Sequence, residues 1–333
     1  MTDPASPPPG ANRLRRALAR LGPLLGLLVV WSLFAWRVGE NFIKWDNQRL
    51  MLLQTSIVGT AAVGATLVIV SGGIDLSVGS TIALGTVVIA ILLQAGVPPL
   101  LAALGGIACG ALVGLLIGTF VTGQLLRFRG RVELSPFIVT LALWGALRGL
   151  AKGIADNQPV YVDDESWLLA LTEHGASGVT AILAPAVWIM LAIAGITALM
   201  LRHTRFGRHV FAIGSNEQTA RLCGVRVERR KLAIYAFASA CAGVAAMLQF
   251  SYIGLGDPTT ATGLELSVIA AVVIGGASLA GGEGSILGTL VGALIMTVVA
   301  NGCTKLGWEN WVQEIVTGAI IVVAVTIDRL RHR

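Results

Sequence analysis

Ten long apolar stretches dominate the chain, and each is about the length that a helix needs to cross a lipid bilayer. A spanning helix requires about 20 mostly apolar residues. Inside a bilayer every backbone polar group must be bonded within the protein, so the stretches predict helices rather than isolated strands. Their approximate bounds are 21–37, 50–71, 77–95, 98–124, 135–151, 179–201, 231–253, 262–280, 284–304 and 310–328.

The composition excludes a soluble domain. Of the 333 residues, 55% are hydrophobic and 13% are charged, whereas soluble domains carry about 25% charged residues. We therefore expect an all-α, polytopic membrane helix bundle of about ten transmembrane helices, surrounded by membrane lipid. The four cysteines have no CxxC or Cys/His spacing, so we expect buried thiols and neither a metal site nor a cofactor.

The basic residues orient the bundle. With the N-terminus in the cytoplasm, 18 of the 24 Lys and Arg residues fall on inside segments, and Arg148 is among the six on outside segments. This bias predicts that both termini are cytoplasmic. It also explains the net charge of +6, so we expect no nucleic-acid partner.

The same bias predicts the domain boundaries. Residues 1–20 form a disordered Pro-rich and then basic cytoplasmic N-terminus, and residues 21–328 form the transmembrane domain. Within that domain 152–178 is a periplasmic loop and 202–231 a strongly basic cytoplasmic loop, and 329–333 is a cytoplasmic tail. No small-x-small cleavage site follows the first span, so we expect an uncleaved first helix.

Two spans carry a glycine at every fourth residue, which places the glycines on one helical face and allows another helix to approach closely. The face could serve sliding during gating, but static packing is the favoured interpretation. One series is Gly106, Gly110, Gly114 and Gly118, and the other is Gly284, Gly288 and Gly292.

An internal repeat connects the two halves of the chain. Residues 71–80 read SGGIDLSVGS and residues 275–285 read GGASLAGGEGS. We call these segments the first and second glycine breaks, because paired glycines interrupt helices. Broken segments repeated in two halves of a transporter indicate the substrate path. The span count gives both breaks the same direction, so an inverted repeat would require one of them to re-enter the membrane.

Polar residues within or beside the apolar spans are functional candidates, since they are costly in a membrane. Asp75 and Glu283 could accept hydrogen bonds from backbone donors freed by the breaks, which we favour over substrate contact. Glu265 could cap its helix or bond Thr260 or Thr262, and Asn301 could bond a neighbouring helix or, less favoured, a substrate hydroxyl. The candidate translocation-path residues are Gly72, Gly73, Asp75, Glu265, Gly275, Gly276, Glu283 and Asn301.

The basic inner loop contains a short segment, Asn216 to Gly224, that is compatible with a helix. Ser215 or Asn216 can cap it, and Gly224 can end it with a positive φ. Ala220, Leu222 and Cys223 are expected on or near one face. Membrane topology alone would explain the arginines of the loop but not the capped helix, which predicts a docking element.

Four motifs together resemble the membrane permeases of bacterial ABC importers for monosaccharides, the ribose/xylose/arabinose permease family. They are SGGIDLSVGS (71–80), PFIVTLALWGALRGLAKG (136–153), TRFGRHVFAIGSNEQTARLCGV (204–225) and LELSVIAAVVIGGASLAGGEGSILGTLVGALI (264–295). The resemblance covers the chain from about residue 50 onward. It implies a homodimer, or a pair with a paralogous permease, a cytoplasmic ATPase, and a periplasmic or lipid-anchored sugar-binding protein.

The resemblance also implies which residues couple transport to the ATPase. The family's Asn-Glu-x-x-Ala-Arg-Leu-x-Gly stretch corresponds to Asn216, Glu217, Ala220, Arg221, Leu222 and Gly224. This chain departs from the family at Gln218-Thr219, where small residues are more usual. A sugar path along the dimer interface or between the halves of each protomer follows, with the binding protein docking on 152–178 and on an exposed segment 252–263.

Other functions remain open. An ABC permease could carry a nucleoside, a branched amino acid or an autoinducer sugar, and an ion-coupled secondary transporter is a different class that would not need the capped inner helix. A membrane-embedded enzyme would need paired catalytic residues, and no histidine lies in an apolar span. Because the GxxxxGK[ST] motif is absent, we expect no enzyme activity, with ATP hydrolysis on a separate subunit.

Overall fold

The computed structural model describes residues 9–124, 134–162, 167–173 and 179–331, and these are predominantly helical. Two predicted loops lie partly outside those ranges. The residues outside them include the inside residues Arg127, Arg129 and Arg131 and the outside residues Asp163, Asp164 and Glu165. The helices are α1 (Pro9–Val38), α2 (Glu40–Ile43), α3 (Trp45–Val70), α4 (Val78–Gln94), α5 (Pro99–Val121), α6 (Pro136–Ile154), α7 (Val179–Ile182), α8 (Pro185–His203), α9 (Arg205–Ser215), α10 (Glu217–Leu222), α11 (Val227–Ile253), α12 (Leu264–Ile274), α13 (Ile286–Lys305) and α14 (Asn310–Arg331).

Each predicted apolar stretch overlaps at least one of these helices, and the stretch 179–201 overlaps both α7 and α8. Among the described residues, six helices are long and apolar enough to cross a membrane, and four shorter apolar helices accompany them. The prediction of an all-helical, polytopic membrane bundle is therefore confirmed. The six are α3, α5, α6, α8, α11 and α13, and the four shorter segments are Gly22–Val38, Val78–Gln94, Leu264–Ile274 and Asn310–Thr326.

Several boundaries differ from the prediction. The span predicted at 179–201 begins at Pro185, because the residue before a proline is disfavoured in helical conformation, and Ala184 is extended with ψ of 148°. The span predicted at 262–280 is an 11-residue helix that ends before Gly275, only about 16 Å long. The first helix begins at Pro9, so it includes the basic N-terminal segment.

Helices α3 and α11 form the centre of the bundle. The most apolar part of α3 is 89% buried within the protein, compared with 22% for α6. Helix α11 packs against α5, α3 and α4, whereas α6 rests on α4 and, to a smaller extent, on α5. The bundle therefore has a covered centre and a helix, α6, with an open outer face.

The first glycine series packs α5 against α11. A Cβ atom added at Gly110 would overlap the backbone at Ser239, and one added at Gly114 would overlap the backbone at Tyr235. Absence of side chains at these positions lets the two helices come close enough for extensive dispersion contact, which drives helix association in lipid. The static-packing interpretation accounts for this geometry.

The second glycine series joins α13 to α12 in the same way. Gly288 packs against Gly275, and Gly292 packs against the backbone at Ala271. Gly284 precedes α13 and contacts Val70 of α3. The second glycine break is consequently held against both α13 and the end of α3.

The predicted outer loop is partly ordered among its described residues. Strand β1 (Val160–Tyr161) pairs antiparallel with β2 (Leu255–Gly256), and a 3₁₀ helix spans Leu169–Thr172. This pairing draws the segment after α11 inward against α4, where Gly256 is buried. Most of 252–263 is half-buried or buried, so the prediction that this segment is broadly exposed is wrong.

A substitution on α5 tests the packing. Gly114→Ala should lower the melting temperature of the purified protein in detergent, because the added Cβ overlaps the α11 backbone and overpacking typically costs about 1–3 kcal/mol. Gly195→Ala is the matched control, since a Cβ at this exposed position of α8 meets nothing within 4 Å among the described residues. Equal melting temperatures for the two variants would contradict the packing argument.

Candidate functional site

The predicted inner loop between α8 and α11 folds into two short helices, α9 and α10. Asn216 separates them, and its Oδ1 accepts a hydrogen bond of 2.8 Å from the backbone N–H of Thr219, the arrangement of an N-cap. Gly224 follows α10 with a φ of +84°, a left-handed conformation that glycine adopts readily. The predicted short helix is confirmed, with Asn216 rather than Ser215 as its cap.

Charged side chains tie α10 to the first turns of α11. Lys231 Nζ lies 2.6 Å from one carboxylate oxygen of Glu217, and Arg221 Nη2 lies 3.1 Å from the other. Arg221 also bonds Glu228. Partly exposed pairs contribute only about 0–1 kcal/mol each, so the network matters chiefly because it sets the orientation of α10 on α11.

The two faces of α10 have different surroundings. Ala220 is buried in a small cluster with Ile213 and Val227, whereas Leu222 is 88% exposed and Cys223 is exposed. The prediction that Ala220 shares a face with Leu222 is wrong, because residues two positions apart on a helix point about 200° apart. Helix α10 therefore packs through Ala220 and presents Leu222 outward.

The surface around α9 is strongly basic. Residues 202–231 contain eight Lys and Arg residues and two Glu residues. Desolvation, and then the guanidinium groups of Arg230, Arg208 and Arg205, lower the pKa of His209 from its ordinary value. This surface is electrostatically suited to an acidic partner.

The two glycine breaks meet each other and α9. The N–H of Gly282 donates a hydrogen bond of 2.8 Å to the carbonyl oxygen of Val70. Gly214 of α9 packs against this hydrogen-bonded pair, since an added Cβ at Gly214 would overlap the Val70 carbonyl group and Gly282. Gly281 packs beside Gly72. Three segments far apart in the sequence thus form one backbone junction, which we call the glycine junction.

A cavity of about 460 Å³ opens beside the glycine junction. Its walls come from the first glycine break, from α9 and α10, and from the start of α11. The lining residues include Gly72, Gly73, Asn216, Glu217, Lys231 and Tyr235. The structure therefore brings predicted path residues of the first break together with predicted coupling residues. The predicted path residues Gly275 and Gly276 lie instead at the end of α12, where Gly275 packs on α13.

The acids of the two breaks differ in burial. Asp75 is 4% exposed, and its Oδ1 accepts hydrogen bonds from the backbone N–H (2.8 Å) and hydroxyl (2.7 Å) of Ser77, which confirms the predicted bonding to freed backbone. At the second break the N–H of Ala280 bonds the Ser278 hydroxyl, and the N–H of Ser278 bonds the backbone carbonyl of Glu283. The Glu283 side chain is exposed.

Asn301 bonds a neighbouring helix, the favoured of its two predicted roles. Its amide exchanges two hydrogen bonds with that of Asn47, at 3.0 and 3.1 Å, and the Asn47 amide also donates to the carbonyl group of Phe42. Both asparagines are buried. The pair clamps α3 to α13 away from the glycine junction.

Glu265 lies at the start of α12, but its side chain is bonded elsewhere than predicted. Its Oε1 accepts a hydrogen bond of 3.1 Å from the indole nitrogen of Trp144 on α6. The expectation that it bonds Thr260 or Thr262 is wrong: Thr260 Oγ1 accepts from Gln249, and Thr262 donates to the Thr259 carbonyl group. The carboxylate therefore connects α12 with α6.

Sequence reasoning missed three features of α6. Trp144 contacts Glu265, and Arg148, predicted to belong to an outside segment, donates to the carbonyl oxygens of Pro258 (2.9 Å) and Thr260 (2.6 Å). The signal available for Arg148 was a cation within a predicted apolar span. The third feature is a glycine at every fourth residue, Gly145, Gly149 and Gly153.

Comparison of the sequence with known proteins shows the family to which the chain is similar. The model of the family described as "Branched-chain amino acid transport system / permease component" matches residues 49–325. The chain is 37% identical over 309 residues to a ribose import permease of Escherichia coli, covering 93% of both chains. It is 36% identical to a ribose import permease of Bacillus subtilis over 94% of this chain and 93% of the relative. It is 33% identical to an L-arabinose ABC transporter permease of Azospirillum brasilense over 94% and 88%.

The asparagine pair permits a double-mutant test. Asn47→Leu and Asn301→Leu should each destabilise the protein in detergent, because each leaves the other amide without its partner. The double variant should lose less stability than the sum of the single variants, with a coupling of about 0.6 kcal/mol, the average for hydrogen bonds within a membrane protein, and at most about 1.7 kcal/mol. Unfolding curves of the four proteins measure it, and additive losses would contradict the pairing.

Proposed function

The chain belongs to the permease family whose model matches residues 49–325, and on that basis we propose that it is the membrane-spanning subunit of an ATP-driven importer for a monosaccharide. It would carry a ribose-, xylose- or arabinose-like sugar across the bacterial inner membrane. The observation that carries the substrate class is the near full-length similarity to permeases named for ribose and L-arabinose. The family description names branched-chain amino acids, so such a solute is the alternative.

The proposed topology has ten spans with both termini in the cytoplasm. Six long and four shorter apolar helices support it, as does the positive charge that collects at α9 and α10. Residues 1–20 and 329–333 would be cytoplasmic, with 21–328 as the permease domain.

We propose that two copies associate through the open face of α6. Gly145, Gly149 and Gly153 lie at four-residue intervals, and a Cβ added at any of them meets nothing within 4 Å among the described residues. Such a face resembles that of α5, which is covered by α11, and it suits close approach by another helix. A second copy of this chain, rather than a paralogous permease, is the simpler occupant.

The cytoplasmic ATPase would dock on α10. Leu222 is the exposed apolar side chain of that helix, and the surrounding basic surface would attract an acidic rim on the partner. Asn216, Glu217, Ala220, Arg221 and Gly224 would act through the helix itself, by capping it, packing it or orienting it on α11.

The glycine junction offers a route from α10 to the membrane. Gly214 of α9 is wedged against Val70 and Gly282, and α10 begins three residues after it. A displacement of α10 by the ATPase would therefore be transmitted to the end of α3 and to the second glycine break without passing through flexible side chains. The neighbouring cavity would open or close as the bundle alternates between outward and inward access.

The outer surface would receive a sugar-binding protein. A cavity of about 780 Å³ at the outer end of α1, α3 and α13 is lined by Arg37, Lys44, Lys305 and Asp46, among others. Its positive charge would suit acidic side chains on the binding protein. Together with the described part of 152–178, this region is the proposed delivery surface.

Substitution at Leu222 tests the docking surface. Leu222→Glu should strongly reduce co-purification of the ATPase and sugar uptake, while folded yield stays unchanged because the side chain is 88% exposed. Cys223→Ser, at the adjacent exposed position, is the control and should leave both unchanged. Normal uptake and ATPase association by Leu222→Glu would remove α10 as the docking element.

Reconstitution tests the energy source. The purified chain in liposomes should neither hydrolyse ATP nor accumulate sugar, because it lacks a phosphate-binding loop motif, and addition of the ATPase and binding protein should produce both activities. Accumulation driven by a proton or sodium gradient without the ATPase would instead support a secondary transporter.

A further inference from the structure

A polar cluster lies where α4, α6 and the start of α12 meet. The indole N–H of Trp144 donates to Glu265 Oε1, and one guanidinium nitrogen of Arg148 donates to the carbonyl oxygens of Pro258 and Thr260. Glu265 Oε2 lies against Gly79 of α4, where a Cβ would occupy the space of the carboxylate. We call Trp144, Arg148 and Glu265 the α6–α12 polar cluster.

Two charged atoms of this cluster are buried without a hydrogen-bond partner among the described residues. They are Glu265 Oε2 and Arg148 Nη2, and Glu265 is only 7% exposed. Leaving a buried polar atom unsatisfied is unfavourable, more so for a charged group. Ionisable groups at membrane depth normally mark a substrate pathway, and here both an acceptor and a donor are available.

The backbone around the cluster is held in an unusual conformation. Ala261, whose carbonyl oxygen faces Gly79, has a φ of +57°, which is uncommon for a residue other than glycine. Such strain persists where the surrounding structure imposes it, often at ligand sites. The segment 257–263 is thus fixed in place and holds Glu265 and the carbonyl groups that orient Arg148.

We infer that the α6–α12 polar cluster is a contact point for a sugar hydroxyl in the translocation path. A hydroxyl group both donates and accepts, so it can donate to Glu265 Oε2 and accept from Arg148 Nη2. Trp144 is 38% exposed and offers an apolar ring face to the carbon skeleton of the sugar. The inference rests on the proposed function, because it identifies residues that would discriminate among the cargo's hydroxyl groups.

The chemistry of the cluster favours a neutral polyol over an anion. The guanidinium group of Arg148 is attracted by the carboxylates of both Glu265 and Asp257, so a free anion finds no uncompensated positive charge. One atom of each group is already hydrogen-bonded within the protein: Glu265 Oε1 accepts from Trp144, and Arg148 Nη1 donates to Pro258. A contact of this kind is selective yet weak enough to release the cargo, as a translocation path requires.

The test compares uptake of a sugar with uptake of its deoxy analogues. Cells would express the chain with the ATPase and the binding protein, and initial uptake would be measured for D-ribose and for its monodeoxy analogues at saturating concentrations. Glu265→Leu should reduce the preference for ribose over at least one analogue by about three- to tenfold, the effect of one lost hydrogen bond. Glu265→Gln, which keeps an acceptor oxygen, should largely restore the preference.

A further variant guards against a folding defect. Trp144→Phe keeps an aromatic ring but removes the donor that orients Glu265, so it should also weaken discrimination. Leu150→Met, at an exposed position of α6, is the matched control and should retain it. A purely structural cluster would lower the uptake of every sugar equally, and unchanged preference ratios in the folded variants would overturn the inference.

The outcomes separate this inference from the proposed function. If the wild-type transporter imports none of D-ribose, L-arabinose, D-allose or D-fructose but imports a branched-chain amino acid, the proposed sugar transport is wrong and the inference fails with it. If the wild type imports the sugar and the variants show the same preference for D-ribose over its monodeoxy analogues as the wild type, only the inference is wrong.

Discussion

The glycine junction is the interaction on which the arrangement of this bundle depends. A bilayer offers no water to satisfy an interrupted helix, so the broken backbone after α3 and after α12 must find partners inside the protein. The N–H of Gly282 donates a hydrogen bond to the carbonyl oxygen of Val70, and Gly214 of α9 packs against both residues. Helices α9 and α10 are thereby joined directly to the apolar helices of the bundle.

Helix packing divides the bundle into a covered and an uncovered part. Lipid tails are as apolar as leucine, so close van der Waals contact rather than the hydrophobic effect holds α5 on α11. The glycines of α6 at positions 145, 149 and 153 face open space among the described residues. The same spacing therefore serves packing within the protomer on α5 and is available for association on α6.

Buried polar groups show a corresponding division. Asn47 and Asn301 satisfy each other's amide groups and lock two helices together. Within the described part of the chain, Glu265 and Arg148 each retain one atom without a hydrogen-bond partner. A satisfied buried network rigidifies a core, whereas an unsatisfied one is a liability unless something else bonds it. The difference separates a structural clamp from a site that can accept cargo.

Most helices and the cap at Asn216 could be predicted from the sequence, because apolar runs and helix caps depend on neighbouring residues alone. The grouping of Ala220 with Leu222 on one face was wrong, because residues two positions apart point in nearly opposite directions on a helix. That Ala220 is on the covered face depends on its packing with Ile213 and Val227. The extra helix α9 was also missed, because its short apolar pattern lies within a strongly basic loop.

The sequence by itself determined that this chain is a membrane bundle and which family its motifs resemble. Only the tertiary structure decided that Gly214 meets Val70 and Gly282, and that Trp144 reaches Glu265 across 121 positions. The reason is physical: hydropathy and capping act within a few residues, whereas these contacts arise from the packing of helices distant in the chain.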